Sequence, residues 1–327
     1  MGNALKVLLH SLQVLLGVVV FGWAWLAVAQ HASGSVLLLW RGLIVALVLL
    51  GLWLVWEGQW RALWLVIALV LAGEVIWWVS TPARADRDWA FDVAHGVTGQ
   101  VSGDQLTLKN VRNFDWSSKD QAVERWEERH YDLSQLERVD LITSVWDYKS
   151  IAHTLISFGF ANGEQIVFSG EIRREKGEVF SAIGGFFKKY ELVMIAADEH
   201  DIVKLRIDQR GEQVALYPLD LPQDLQRQLL VNFVNEANAL DAHPSWYHTI
   251  WSNCTTVPYR LVKTVLPQVG FDWRIIFSGY VADYLQDLGV LRPDLPRDEL
   301  HRLARIPSPG PQSEGIQYSR DLRRNWD

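Results

Sequence analysis

The stretch IAHTLISFGFANGEQIVFSGEIRR, Ile151 to Arg174, reads as two strands joined by a tight turn. Apolar residues alternate on both sides of Ala161-Asn162-Gly163, and a period of two marks a strand with one buried face. Two turns fit. A two-residue Asn-Gly turn pairs Phe158 with Val167 and His153 with Ile172. A three-residue loop with Gly163 in the left-handed conformation pairs Phe158 with Ile166 and Ile156 with Phe168. The second register gathers one continuous apolar face, and register follows such faces. It also sets His153 opposite Glu171, on the other face. Residues directly opposite have Cβ atoms about 5 Å apart. A carboxylate at that distance orients an imidazole and stabilises its protonated form. An ordinary surface His–Glu pair gives the same pattern.

Outward from the hairpin, RVDLITSVW precedes it as a further strand, and ELVMIAA and DIVKLRID follow as two more. KDQAVERWEERHYDLSQL is predicted as a helix capped by Ser117 or Ser118. PQDLQRQLLVNFVNEANAL keeps an apolar stripe of Leu225, Leu229, Phe233, Ala237 and Leu240 at helical spacing. TTVPYRLVKTVL and GYVADYLQDLG read as two more helices. Strands and helices are partly segregated, which points to the α+β class.

Before this body stand three apolar runs, from about Ala4 to Ala29, Val36–Trp56 and Ala62–Val79. Each approaches or exceeds the ~20 residues that a hydrocarbon core demands. A signal peptide explains the first but not the others. Many of the seventeen tryptophans fall here, and indole rings favour the lipid–water interface. The expected division is a three-helix anchor over 1–80, a linker over 81–100, a catalytic domain over 101–305 and a flexible tail over 306–327. The flanking Lys and Arg do not settle the orientation. Arg41 and Glu74 fall near the same membrane face, as a structural pair or as groups that hold a headgroup or an amine.

The net charge of −7 gives no reason to expect nucleic acid, which wants clustered Lys and Arg. Cys254 is the only cysteine, so an internal disulfide and multi-cysteine metal sites are excluded. It lies in WSNCTTVPYRL, Trp251 to Leu261. Pro258 is tolerated only in the first turn of a helix, and Ser252 or Asn253 suits the cap. The Cys254 sulfur therefore sits at a helix N-terminus, where the macrodipole lowers a thiol pKa. A small buried hydrophobe is the bland reading of a lone Cys. A nucleophilic Cys needs a base. Of nine histidines, His153 lies on a strand and His248 lies six residues before the thiol; most others sit in polar text. Asp198–His200 with Asp201 reads as a solvated turn rather than a metal site. Gly184-Gly185 lacks the strand and helix that a nucleotide loop requires.

The SNCTT motif, AHTLISF upstream, and EIRREKGEVFSAIGGFFKKYELVMIAADEHD together resemble the Lnb-type lipoprotein N-acyltransferases, over about Val145 to Leu291. The resemblance implies that Cys254 is the nucleophile and His153 the base; Glu171 as third member rests on the register. His before Cys, with Asn-Cys opening a helix, is also similar to lecithin:retinol acyltransferase. That likeness implies a circularly permuted papain-like fold. The resemblance further implies an inner-membrane protein with a periplasmic site, a phospholipid acyl donor, a diacylated lipoprotein acceptor and no cofactor. A papain-like peptidase or cell-wall amidase, and a non-catalytic membrane-anchored module, are the competing readings.

Overall fold

The computed structural model describes residues 3–306 and 313–326. The chain forms two compact units. One holds the first 83 residues together with Phe180–Lys189, and the other holds the rest.

The first unit is built on α1 (Asn3–His31), α2 (Gly34–Trp56) and α3 (Trp60–Ser80). All three are long and apolar enough to cross a membrane. A helix satisfies its own backbone, which is what a segment in hydrocarbon requires. Val20, Phe21, Ile44, Leu54, Leu63 and Ile67 form the shared interior, while most of the remaining apolar side chains face outward. Small residues let such helices approach: a Cβ built on Gly17 would lie 3.3 Å from Ile67. Phe180–Lys189 joins this unit through Lys188, whose ammonium donates to the carbonyl of Thr81 at 3.1 Å and lies over the Trp78 ring. The expected Arg41–Glu74 pair is not formed. Arg41 lays its guanidinium over Trp25 at 4.8 Å, and neither its Nε nor Glu74 Oε1 has a hydrogen-bond partner among the described residues.

The second unit is α+β. Its strands are β1 (Thr98–Ser102), β2 (Gln105–Arg112), β3 (Asp115–Ser118), β4 (Gln121–Val123), β5 (Trp126–Asp132), β6 (Leu136–Val145), β7 (His153–Phe160), β8 (Gln165–Arg173), β9 (Glu191–Ala197) and β10 (Gln213–Pro218). The main sheet runs β1-β2-β9-β8-β7-β6-β10, with β5 also on β2, and β3 and β4 form a separate ribbon. Pairing is antiparallel except between β2 and β9. The helices are α4 (Glu199–Lys204), α5 (Gln223–Ala242), α6 (Thr256–Val265), α7 (Val281–Asp287), α8 (Arg297–Ala304) and α9 (Gly315–Arg323).

The period of two in β7 and β8 sorts the core. Ile156, Phe158 and Phe168 pack with Phe233 of α5 and Val257 of α6. Leu155 and Val167 pack on the other face with Ile202 of α4 and Leu322 of α9. The hairpin takes the three-residue loop. Ile156 pairs with Phe168 and Phe158 with Ile166, and Gly163 has φ of 89°, a conformation that glycine adopts without steric cost.

Three local expectations fail. Residues 119–136 form β4, β5 and a short 3-10 turn, not a helix. The charged text is tolerated because β5 has no second neighbour in the sheet; Arg129 pairs with Glu127 and Asp198, and Tyr131 alone of that strand is buried. DIVKLRID is α4 followed by a π-helical turn, Leu205–Gln209. The adjacent Asp198–Asp201 is no solvated turn: Glu199 and Asp201 are buried, and Asp201 takes a two-pronged ion pair from Arg112 at 2.9 and 3.0 Å. Within the segment read as a linker, Trp89, Val93 and Val97 are buried. Of the segment read as a tail, the described residues 313–326 hold α9 and bury Tyr318, Leu322 and Arg323.

Arg323 closes this unit. Its guanidinium is 2.6 Å from both Asp140 of β6 and Glu199 of α4, and all three groups are almost fully buried. Removing one partner of a buried cluster strands the others, at about 3–5 kcal/mol. Arg323→Met is therefore expected to lower the urea-unfolding free energy of the full chain by about that amount. The exposed neighbour Arg324, which pairs with Asp321 at the surface, is worth about 1 kcal/mol or less. Equal effects of the two substitutions would contradict this assignment.

Candidate active site

The ladder between β7 and β8 ends at Ile156 and Phe168, although both strands run on. The turn that carries Cys254 sits in the fork. A Cβ built on Gly170 of β8 would lie 3.8 Å from the Cys254 Cα. From β7, the Thr154 hydroxyl donates to the Cys254 carbonyl at 2.5 Å. That bond has a cause in the sequence. Pro258 has no N–H to offer the carbonyl four residues before it, so Thr154 supplies the missing donor.

Asn253 builds the start of α6. Its side-chain oxygen accepts from the amides of Thr255 and Thr256, both at 2.9 Å, and its backbone carbonyl accepts from Val257 at 3.1 Å. By these bonds Asn253 is the cap and Cys254 the first residue of the turn. With two of the amides engaged, the Cys254 N–H is the amide of this turn left to meet a substrate oxygen.

His153 stands at the start of β7. Its Nε2 lies 3.0 Å from Glu171 Oε1 and 2.8 Å from Ser169 Oγ. Ser169 in turn donates to Glu171 Oε1 at 2.8 Å. The cross-strand pair expected from the register is met by the side chains, although the backbone ladder has already stopped. With Nε2 engaged, Nδ1 is left for the thiol. The sulfur lies 3.9 Å from Thr255 Oγ1, and the charges of the imidazole and the sulfur act on one another.

Sequence reasoning missed three parts of this site. Thr154 and Ser169 were hidden as ordinary polar residues of a hairpin. Arg206 was hidden by reading its segment as a strand. The π-helical turn after α4 presents Arg206, which donates to Glu171 Oε1 at 2.9 Å and to the carbonyl of Ile202 at 2.8 Å. Such widened turns are frequent at functional sites, but no residue spacing marks one in advance. The rival base, His248, turns Nδ1 toward the amides of Ile250 and Trp251, at 3.1 and 3.3 Å.

The charges are tuned by their neighbours. Burial alone would lower the His153 pKa, yet the Glu171 carboxylate and the Cys254 sulfur outweigh it and raise it to about 9. Burial alone would raise Glu171; the charge and hydrogen bond of His153, then Arg206, hold it well below the usual carboxylate range. Burial alone would raise the thiol; His153, by charge and hydrogen bond, and the backbone of Thr154 bring Cys254 below its ordinary value. His153 and the Thr154 backbone therefore shift the thiol toward its thiolate while Glu171 and the sulfur shift His153 toward its protonated form, the direction that activates a thiol nucleophile.

A half-buried thiol beside a histidine that a carboxylate orients, on an α+β domain, defines a candidate thiol-dependent group-transfer or hydrolytic centre. Residues 122–279 match the family model of the Lnb N-terminal periplasmic domain, which bears out the resemblance to the Lnb-type family carried by SNCTT and its upstream strand. Neither a curated protein nor a solved structure gives a match to this chain. The matched segment spans Cys254, His153, Glu171, Ser169 and Arg206.

The tuning has a direction in pH. His153 is raised to about 9 from about 6.5 in an unfolded chain. Its contribution to stability is therefore complete below about pH 6.5 and is lost as pH rises through about 9. Glu171→Gln removes the main source of that shift. Above the range in which Glu171 titrates, where it is ionised, the stability difference between wild type and Glu171→Gln is expected to be largest up to about pH 6.5 and to shrink toward pH 9. Alkylation of Cys254 by iodoacetamide at pH 6–7 should slow in the same variant, because the imidazole that lowers the thiol pKa is less often charged. An unchanged alkylation profile would show that Glu171 does not act on the thiol through His153.

Proposed function

We propose that this protein is a lipoprotein N-acyltransferase of the inner membrane, its catalytic unit in the periplasm and its N-terminus in the cytoplasm. The observation that carries the reading is the Cys254–His153–Glu171 arrangement inside a segment of the Lnb periplasmic family. The three apolar helices support a substrate held in the membrane. An exposed aromatic surface next to the site supports the same substrate class. Trp273, Phe277 and Tyr280 are exposed, and their segment is fastened to the residues before His153: Ser278 Oγ accepts from the Ala152 amide at 2.8 Å and Gly279 N–H donates to Ser150 at 3.1 Å. Such rings partition to the lipid–water interface. The cavity between Thr154, Thr255, Pro258 and Tyr259 measures about 50 Å³, the share of liquid taken by about two waters. The exposed aromatic surface is where we assign an acyl chain carried on Cys254.

The reaction has two balanced steps. The Cys254 thiolate attacks the ester carbonyl of a phospholipid, the C–O bond breaks, and the leaving alkoxide takes a proton from His153 to become a lysophospholipid. The α-amine of a diacylglyceryl-cysteine lipoprotein then attacks the thioester. His153 takes the amine proton, an amide forms, and the thiolate returns. The Cys254 N–H meets the oxyanion in both steps. Asn253 acts by fixing the turn, and the His-first order fits a permuted papain-like arrangement. No cofactor enters either step.

Incubation of the full chain with phospholipid and no acceptor is expected to add the mass of one acyl chain, removable by neutral hydroxylamine. Cys254→Ser should abolish that adduct. Mass spectrometry of a diacylated lipoprotein should show N-acylation with the wild type and none, or at least about a thousandfold less, with Cys254→Ala, the scale seen when a nucleophile is deleted. An active Cys254→Ala variant would reject every covalent thiol mechanism here.

A further inference from the structure

The first unit contains an open groove of about 410 Å³ along α1, α2 and α3, with almost wholly apolar walls and exposed lining residues such as Val18 and Leu49. That size is within the ~300–1,000 Å³ of ordinary ligand pockets. On α1 its lining runs from Gln13 to Trp25, and on α2 from Ile44 to Val55. The residues recur at three- and four-residue spacing, so each helix presents one continuous face. Twelve residues at 1.5 Å per residue give a length of about 18 Å, comparable to one leaflet of a hydrocarbon core about 30 Å thick. Gln13 marks one end, donating to the Trp60 carbonyl at 2.8 Å.

The other end carries a charge. Arg41 lies one turn before Ile44 and Val45 on the same face of α2, and its guanidinium covers Trp25 at 4.8 Å. Its Nε is buried and has no hydrogen-bond partner among the described residues. A guanidinium left without an anion at this depth is costly. Its planar fork matches the oxygens of a phosphate. An apolar channel one leaflet long, ending at a guanidinium whose Nε has no hydrogen-bond partner among the described residues, has the polarity of a single lipid.

We infer that the three-helix unit holds a phospholipid, with its phosphate on the edge of Arg41 and one acyl chain in the channel between α1 and α2. The cation–π contact with Trp25 occupies a face of the guanidinium and leaves the in-plane donors for the phosphate. Gly22 supplies space on the channel wall: a Cβ built there meets nothing within 4 Å. A larger side chain at this position therefore fills the channel without colliding with a neighbouring helix.

The site does not depend on acyl transfer by Cys254, so binding is measured with the full-length Cys254→Ser protein in detergent. Native mass spectrometry is run with phosphatidylglycerol and with a diacylglycerol of the same chains. One phosphatidylglycerol is expected to stay bound, at least about tenfold more tightly than the diacylglycerol. Arg41→Gln should remove that preference, leaving both lipids equally weak. Gly22→Leu should weaken both lipids, because it blocks the chain rather than the phosphate. Equal binding of the two lipids by the unaltered site, or a preference that survives Arg41→Gln, would overturn the assignment. So would undiminished binding by Gly22→Leu, which would place the lipid on the outer surface of the helices instead.

Discussion

The carboxylate of Glu171 is the point on which the catalytic end of the sheet is organised. One oxygen meets the imidazole of His153, the hydroxyl of Ser169 and the guanidinium of Arg206. A buried carboxylate with so many donors stays ionised. Because it is ionised, it raises the pKa of His153, and the charge on His153 in turn lowers that of the thiol beside it. Arg206 sets a limit on this chain of effects. Its positive charge steadies Glu171 while opposing the charge on His153. The imidazole is thus kept from becoming too weak an acid to return its proton.

The fork between β7 and β8 turns that electrostatic arrangement into a geometry. Were the two strands to pair to their ends, no space would remain for the Cys254 turn between Gly170 and Thr154. Pro258 removes one backbone donor from α6, and the hydroxyl of Thr154 replaces it from the strand that also carries His153. The nucleophile and the base are therefore fixed to one another through two adjacent residues of β7.

The most legible parts of the site were those governed by local rules. The hairpin register followed from one apolar face and one glycine, and the thiol's position followed from Asn253 and Pro258 flanking it. Arg206 was not legible, because Val203, Leu205 and Ile207 alternate as a strand does while the chain winds them into a helix and a π-helical turn. The same limit applies to residues 119–136, where helix-forming Glu and Arg side chains sit on a strand whose charges find partners elsewhere in the fold. Glu199 and Asp201 looked like solvated polar residues because their partners, Arg323 and Arg112, lie 124 and 89 positions away in the chain. Charge neutralisation across such distances leaves no local pattern.

A solitary low-pKa thiol has a further consequence, for its chemical durability. The features that make Cys254 nucleophilic also make it a target for peroxide, which converts a thiolate to a sulfenic acid. Many redox-exposed cysteines recover by forming a disulfide with a neighbouring thiol. This chain has no second cysteine, so an oxidised Cys254 has no internal partner and proceeds to the irreversible sulfinic state unless an external thiol reaches it first. Its partial burial in the fork slows the oxidant and the rescuer alike. The working life of the protein is then set by how often the sulfur is occupied, since a sulfur already bonded to carbon is not a thiolate.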